Sequence, residues 1–160
     1  MPASVTSGVE VSPCENYRYL LWKTWDAKAP RMLFIGLNPS LALSDEGNPT
    51  MQRCLAFAKS WGYGGVYLAN LFAWRSPDPR GLLAAQEPIG PDNDAWLVKL
   101  AGQTDLQLAA WGNHGAHLGR SLAVRKLLPD LHCLKINRSG EPAHPLYLRA
   151  SLRPQPLGNL

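Results

Sequence analysis

Four short, largely apolar runs, each followed by a glycine or an asparagine, constrain the fold of this chain more than any other feature of its sequence. The runs occupy residues 32–35, 66–69, 106–111 and 131–136, and segments long enough for a helix separate them. Continuous apolar strands are typical of a parallel sheet that is covered on both faces. Alternating strands and helices then require right-handed crossover connections. The sequence therefore predicts an α/β fold, a three-layer α/β/α sandwich around a four-stranded, mainly parallel sheet.

Helix signals lie between the predicted strands. The first helix is predicted over residues 48–61, because Asn48 can cap it and a proline follows. A second helix should begin within residues 91–94, whose acidic side chains suit the positive end of a helix, and end at Gly102. A third helix is predicted over residues 115–128 and should bury a set of leucines: Leu118, Leu122, Leu127 and Leu128.

The segments outside this core carry less regular patterns. Residues 15–25 fit either an antiparallel strand at the sheet edge or a short helix. Residues 149–160 contain two prolines and no period, which is typical of a tail that packs over a domain or stays loose. Neither a repeat nor a shift in composition divides the chain, so we expect a single domain over residues 1–160 with its core at 31–148.

Length and composition agree with one globular domain. The 160 residues are 46% hydrophobic and 18% charged, which provides enough apolar side chain for a core. No apolar run reaches the roughly 20 residues that cross a bilayer, and the first eleven residues lack the pattern of a secretory leader. We therefore expect a cytoplasmic, monomeric protein with no membrane partner. The net charge of +4 and the pI near 9.1 permit a polyanionic partner without requiring one.

Polar segments that contain glycine or proline follow all four predicted strands, at residues 36–40, 70–75, 111–115 and 137–145. Ligands of open parallel sheets bind at such strand ends. None of these segments contains a Walker loop, a GxGxxG fingerprint, a GxSxG elbow or an HExxH pair. The motifs of nucleoside triphosphate binding, dinucleotide binding and the common hydrolases are therefore missing.

Cysteine and histidine spacing gives no sign of a metal. The three cysteines, Cys14, Cys54 and Cys133, have no CxxC spacing, so we expect reduced packing residues. His114 and His117 are three residues apart but have no evident third ligand. We expect no metal and no cofactor.

Taken in order, the four strand-end segments resemble the motifs of the uracil-DNA glycosylase superfamily. The sequence GLNPS at residues 36–40 is similar to the loop that activates the attacking water, and GVYLAN at 65–70 is similar to the strand whose terminal asparagine reads the flipped base. WGNHG at 111–115 resembles the turn into the next helix. The pair LK at 134–135 followed by HP at 144–145 resembles the final strand and its loop.

This resemblance implies roles for individual residues. Asn38 would hold the attacking water, Asn70 would bind the edge of the base, and His144 would stabilise the departing base. Without such roles, Asn38 and His144 would be turn residues and Asn70 would bond to nearby backbone. The candidates for base binding are Asn70, Phe72, Gly36 and Pro39, with Trp74 or Trp111 as further stacking surfaces. The candidates for nucleic-acid binding are Arg75, Arg138, Lys135, Asn113 and Ser40.

Two segments depart from the superfamily pattern. The loop after the first motif carries Asp45 and Glu46. They are either solvated charges or supply the general base, a role that the amide of Asn38 cannot fill. Residues 137–143 are additional residues before His144. These departures leave the identity of the substrate open.

The whole chain is more closely similar to an uncharacterised bacterial family, domain of unknown function 1643. The similarity lies in WGYGG at residues 61–65, NLFAWRSPDP at 70–79 and HPLYL at 144–148. The functional hypothesis comes from the superfamily instead: a hydrolase that cleaves the N-glycosidic bond of a flipped uracil-like, mismatched or modified base, with DNA, other nucleic acid or a nucleotide as its partner. The alternatives are a catalytically inactive module that binds nucleic acid or a base, and an enzyme that acts on free nucleosides or nucleotides.

Overall fold

The computed structural model describes residues 5–46 and 48–158. These residues form a mixed α/β fold with one seven-stranded sheet and four α-helices. The strands are β1 (Thr6–Val11), β2 (Arg18–Thr24), β3 (Arg31–Gly36), β4 (Gly65–Asn70), β5 (Leu106–Ala109), β6 (His132–Cys133) and β7 (Gln155–Pro156). The helices are α1 (Pro49–Ser60), α2 (Pro79–Ala84), α3 (Asn93–Gly102) and α4 (Arg120–Leu127), with short 3₁₀ segments at Asn113–Gly119 and Pro145–Tyr147. None of these helices is long and apolar enough to cross a membrane.

The sheet is larger than the four strands that the sequence predicted. Its strand order is β1-β2-β4-β3-β5-β6-β7. The inner strands β4, β3, β5 and β6 run parallel and correspond to the four apolar runs. Antiparallel strands extend the sheet on both sides, β2 and β1 next to β4, and β7 next to β6. The sheet is therefore mixed, and its parallel part is what the apolar runs could predict.

Side chains of β3 alternate between the two faces of the sheet. Met32 and Phe34 pack in a core cluster with the buried side of α1. Leu33 and Ile35 pack in a second cluster with residues of α3 and α4. Because both faces are covered, every position of this run is apolar, as the pattern indicated.

The first two predicted helices are present. The buried side predicted for the third is wrong for Leu118, Leu122 and Leu127, which are exposed, and confirmed for Leu128, which is buried in the core. Helix α1 begins after Asn48, whose side chain accepts the backbone N–H of Met51 at 3.1 Å. The predicted third helix is instead a 3₁₀ segment followed by α4, because Leu118 has a φ of 55° and Gly119 is left-handed. This break rotates the chain, so that Leu118 is 63% exposed and Leu122 is 50% exposed.

The terminal segments are also part of the sheet. Residues 15–25 contain strand β2, which lies inside the sheet because β1 covers its outer side. In the segment 149–160, β7 pairs with β6, and Leu157 is buried in the core. The last predicted strand is shorter than expected, since only His132 and Cys133 pair as a strand.

The order of the parallel strands reverses at β3. The chain passes from β3 to β4 on one side and later to β5 on the other side. The loops that leave neighbouring strands in opposite directions open a crevice at the carboxyl ends of these strands. Gly36 and Asn70 end β3 and β4 at this position, and they are paired in the register of the sheet.

Candidate functional site

A cavity of about 510 Å³ lies at the carboxyl ends of the parallel strands. It takes its lining from the ends of β3 and β4, the first turn of α1, and the segments after β5 and β6. These parts are far apart in the sequence and meet because parallel strands end at the same edge of a sheet. Most of the predicted site residues line this cavity, namely Gly36, Asn38, Pro39, Ser40, Asn70, Asn113 and His144.

The amide of Asn38 is held in one orientation by backbone. Its Nδ2 faces three carbonyl oxygens, of Pro39 at 3.3 Å, Trp74 at 3.4 Å and Ser76 at 3.4 Å. These are long hydrogen bonds, but all three require the N–H side of the amide. Within the described part of the chain Oδ1 has no hydrogen-bond partner, so it is the atom that can accept a hydrogen bond from a water in the cavity.

Asn70 is a buried amide with an unsatisfied nitrogen. Its side chain is 4% exposed, and within the described residues its Nδ2 has no hydrogen-bond partner. The backbone around it is fixed, because Nδ2 of the fully buried Asn93 donates to the Asn70 carbonyl at 2.9 Å. A buried donor without a partner costs on the order of 1–3 kcal/mol. The amide is therefore a candidate for binding the polar edge of a ligand.

Gly36 makes room for this amide. A Cβ at residue 36 would lie 2.8 Å from Oδ1 of Asn70, closer than real Cβ contacts. The register of the sheet places these two residues side by side. A side chain at the end of β3 would therefore displace the amide that ends β4.

His144 is neutral and has a defined tautomer. Its Nδ1 accepts the backbone N–H of Leu146 at 3.2 Å and caps the following 3₁₀ turn. Burial lowers the pKa of His144 below its usual value. A neutral imidazole that accepts at Nδ1 carries its proton on Nε2. The side chain therefore offers one N–H donor from the cavity wall.

A buried carboxylate supports the wall that carries His144. Glu141 accepts hydrogen bonds from Ser121 Oγ at 2.6 Å and Trp111 Nε1 at 3.2 Å, and it lies 3.5 Å from Arg125 Nη2. The backbone carbonyl of Pro142 accepts the N–H of Gly112 at 2.8 Å. These bonds tie the segment before His144 to α4 and to the end of β5.

Asn113 organises the rim of the cavity. Its Oδ1 accepts hydrogen bonds from Asn137 Nδ2 at 3.0 Å and from Ser139 Oγ at 2.6 Å. Both donors lie in the turn after β6, which the bridge between Ile136 and Pro142 closes. The extra residues of this segment therefore form an ordered turn beside the cavity.

Five of the residues predicted to bind a base or nucleic acid do not line the cavity: Phe72, Trp74, Arg75, Lys135 and Arg138. Phe72 is fully buried in the core, where its ring centroid lies 5.6 Å from that of His117. Trp111 does line the cavity, but it is only 1% exposed. The guanidinium of Arg75 donates hydrogen bonds to the backbone carbonyls of Glu15 and Leu41. Lys135 and Arg138 are exposed, outside the cavity.

Of the two alternatives for Asp45 and Glu46, their positions outside the cavity favour loop charges over a general base. Asp45 forms an ion pair with Lys23 at 2.8 Å, which lowers the pKa of its carboxyl, and neither Asp45 nor Glu46 lines the cavity. The carboxylate in the lining is that of Asp78. It caps α2 by accepting the N–H of Gly81 at 3.1 Å, and this bond lowers the pKa of Asp78.

Arg18 is a lining residue that sequence reasoning missed. It is the first residue of β2, it is 2% exposed, and its Nη1 donates to the carbonyl of Ala42 at 2.8 Å. The signal in the sequence is an arginine within the aromatic and aliphatic run YRYLLW. A charge inside an apolar strand indicates either an exposed face or a buried functional group.

Residues 18–146 match the family described as "Protein of unknown function (DUF1643)". The chain belongs to this family. The matched span of this DUF1643 chain begins at Arg18, includes Asn38 and Asn70, and ends two residues after His144. No curated protein and no solved structure matches the chain. In the described residues of the DUF1643 chain, no group of three histidine, cysteine, aspartate or glutamate side chains is placed to hold a metal ion.

Proposed function

We propose that this protein is a hydrolase that cleaves the N-glycosidic bond of a base bound in the cavity, in the manner of the uracil-DNA glycosylases. The observation that carries the proposal is that Asn38, Asn70 and His144 all line one cavity. They come from three separate motifs of the resemblance. The parallel strands with helices packed on both faces also support the three-layer arrangement that the resemblance implies.

The reaction needs a positioned water and a donor for the leaving base, because the sugar gains cationic character as the base departs with negative charge. The three carbonyls that bind Asn38 Nδ2 direct Oδ1 toward accepting a hydrogen bond from water. In this proposal Asn38 orients the water and does not deprotonate it. The rate would then depend on how well the base leaves.

Asn70 is the base-binding residue in this proposal. A primary amide presents one donor and one acceptor side by side, which complements a base edge that carries a carbonyl next to an N–H. The partnerless Nδ2 of Asn70 is buried, so it gains a hydrogen bond to such an edge when the amide turns toward the cavity. The free energy now lost to the unsatisfied donor then favours binding.

His144 stabilises the departing base. Because burial lowers the pKa of the imidazole, the ring is neutral at neutral pH, and its one N–H donor is at Nε2. A neutral donor stabilises an anionic oxygen without first losing a proton to it. Protonation of the ring would compete with the hydrogen bond from the Leu146 N–H, since Nδ1 is the acceptor there.

A binding module without catalysis is the second candidate, favoured by one observation. The residue at the water position is a neutral amide, and Asp78, the carboxylate in the described lining, is already used as a helix cap. A base-binding module would keep Asn70 and Trp111 and would need no activated water.

Single-turnover cleavage decides between these two candidates. The substrates are oligonucleotides that carry uracil, hypoxanthine, mismatched thymine or a hydroxymethylated base, and alkali reveals the abasic sites. We expect cleavage of at least one substrate, with loss of activity in both Asn38→Ala and His144→Ala. His132→Ala is the matched control, because that histidine lies on β6 and not in the cavity lining. Binding without cleavage of any substrate would refute the glycosylase proposal and support the binding module.

A further inference from the structure

The charge of Arg18 is buried at the cavity, and no carboxylate of the described residues pairs with it. The side chain is 2% exposed and lines the cavity, and its Nε has no hydrogen-bond partner within the described residues. The interaction it makes is with a neutral carbonyl, that of Ala42. A cation buried in this way has lost its hydration, and one hydrogen bond to a neutral carbonyl offsets only a small part of that cost.

Two other arginines of this chain lie next to carboxylates, the usual way in which a protein accommodates a buried positive charge. Arg120 is 3% exposed, and its guanidinium lies 2.5 Å from the carboxylate of Asp94. Arg125 lies 3.5 Å from the carboxylate of Glu141. Arg18 has no carboxylate within 4.0 Å among the described residues, so packing alone does not account for a charge at this position.

The surroundings of Arg18 add positive potential. The nearby Arg75 and burial together lower the pKa of Arg18 to about 10, with burial as the larger cause. Thr50, in the first turn of the twelve-residue helix α1, also lines the cavity, and the amino end of a helix favours anions. Asp78 is the opposing charge in the lining, but its carboxylate accepts the Gly81 N–H and lies 3.4 Å from Arg80.

We propose that Arg18 binds the phosphate of a nucleotide whose base lies at Asn70, so that the ligand of this cavity is a nucleoside phosphate and not a bare base or nucleoside. Guanidinium and phosphate form charge-assisted, often bidentate hydrogen bonds. A volume of about 510 Å³ is within the range of small-molecule pockets. The inference rests on the proposed function for the position of the base, but it does not require that the glycosidic bond is cleaved.

The phosphate has two sources, a free mononucleotide or the backbone of a nucleic acid. Both provide the same oxyanion, and the test distinguishes them by including both ligands. Arg18 is buried within the wall, unlike the exposed Lys135 and Arg138, and the compact terminal phosphate of a mononucleotide fits such a position better than a continuous backbone does.

The test measures binding by calorimetry for 2′-deoxyuridine, 2′-deoxyinosine and thymidine, for their 5′- and 3′-monophosphates, and for a single-stranded oligonucleotide of the same bases. We expect at least one monophosphate to bind about tenfold or more tightly than its nucleoside, as a charge-assisted contact would give. Arg18→Gln should remove this preference, and Arg18→Lys should keep part of it. Arg120→Gln is the matched control: it should lower the melting temperature but leave the ratio of affinities unchanged.

The ratio of affinities separates recognition from folding. Equal affinity of each nucleoside and its monophosphates in the wild-type protein would overturn the inference even if Arg18→Gln does not fold, and so would a preference that survives in Arg18→Gln. If Arg18→Gln loses affinity for mononucleotides alone, the phosphate that Arg18 binds is the terminal phosphate of a mononucleotide. If the variant also loses affinity for the oligonucleotide, Arg18 binds a phosphate of the nucleic-acid backbone. Phosphate-dependent binding without cleavage would refute the glycosylase proposal only, whereas cleavage without any effect of Arg18 on binding would refute this inference only.

Discussion

The contact between Gly36 and Asn70 can be tested quantitatively with a double-mutant cycle. In Gly36→Ala the new Cβ would lie 2.8 Å from Oδ1 of Asn70, and the next nearest atoms are 3.9 Å and 4.0 Å away. Gly36 does not have a positive φ, so alanine is acceptable to the backbone and the cost comes from the overlap. Overpacking of a buried site costs about 1–3 kcal/mol, and we expect Gly36→Ala to lower the free energy of unfolding by that amount.

The second arm of the cycle removes the atom that the Cβ would overlap. In Asn70→Ala, Oδ1 is absent, and the nearest remaining atom is the Ala69 carbonyl oxygen at 4.0 Å, an ordinary contact. Gly36→Ala should therefore cost little in the Asn70→Ala background, and the coupling energy should nearly equal the cost of the single substitution. Asn70→Ala itself should cost less than most core truncations, because it removes a buried nitrogen that has no partner.

Urea unfolding of the four proteins in the cycle measures these energies. Gly102→Ala is the matched control, because a Cβ at the end of α3 meets nothing within 4 Å and φ is not positive; it should be neutral or stabilise by up to about 1 kcal/mol. An equal penalty for Gly36→Ala in the presence and absence of the Asn70 side chain would refute the reasoning. In the wild-type background, Gly36→Ala should also weaken binding of the base, since the amide has to move.

Three further predictions concern single residues. Asn38→Asp should increase the cleavage rate only toward alkaline pH, because the three carbonyls that face Nδ2 would raise the pKa of a carboxyl there; a pH-independent increase in single-turnover rate would contradict this. The lowered pKa of His144 means that the unfolded chain, with an ordinary value near 6.5, takes up the proton first. Stability should therefore be full above pH 6.5 and fall as the pH drops through the lower native pKa, and the fall should be smaller in His144→Gln when unfolding is measured against pH. Glu141→Gln should lower the free energy of unfolding by about 1–3 kcal/mol, because it removes the charge opposite Arg125 inside a buried network; a change below about 0.5 kcal/mol in urea unfolding would show that the network is dispensable.

The parts of the fold that sequence predicted are those set by local pattern. The strand at 32–35 and the helix that Asn48 caps depend on neighbouring residues and on burial from both sides. Strand β1 gave no such signal, because its side chains are exposed or only partly buried. Strand β2 was predicted only as one of two alternatives, because its place in the sheet depends on long-range pairing with β1 and β4. The rotation of α4 follows from the positive φ of Leu118. This backbone conformation is rare for leucine, so the residue type does not predict it.

The candidate site likewise contains residues that local pattern predicts and residues that it does not. Asn38 and Asn70 could be predicted because each directly follows or ends a strand, and the ends of parallel strands converge. Phe72 was placed incorrectly because it lies after the end of β4, where strand alternation no longer fixes the direction of a side chain, and its ring is buried in the core. Arg18 could not be placed from the sequence, because its position depends on the long-range pairing of β2 with β1 and β4.

The charges around the cavity indicate which step the protein would assist most. Arg18 is cationic, Asn38 is a neutral amide, and His144 is a neutral donor whose lowered pKa makes it a weak source of protons at neutral pH. The carboxylate of Asp78 is engaged by backbone and by a neighbouring arginine. In the proposed reaction such a lining stabilises an anionic leaving base more than a cationic sugar. Bases with an acidic N–H, which leave readily as anions, should therefore react faster than bases that must be protonated before they depart, and the order of cleavage rates should follow the acidity of the departing base.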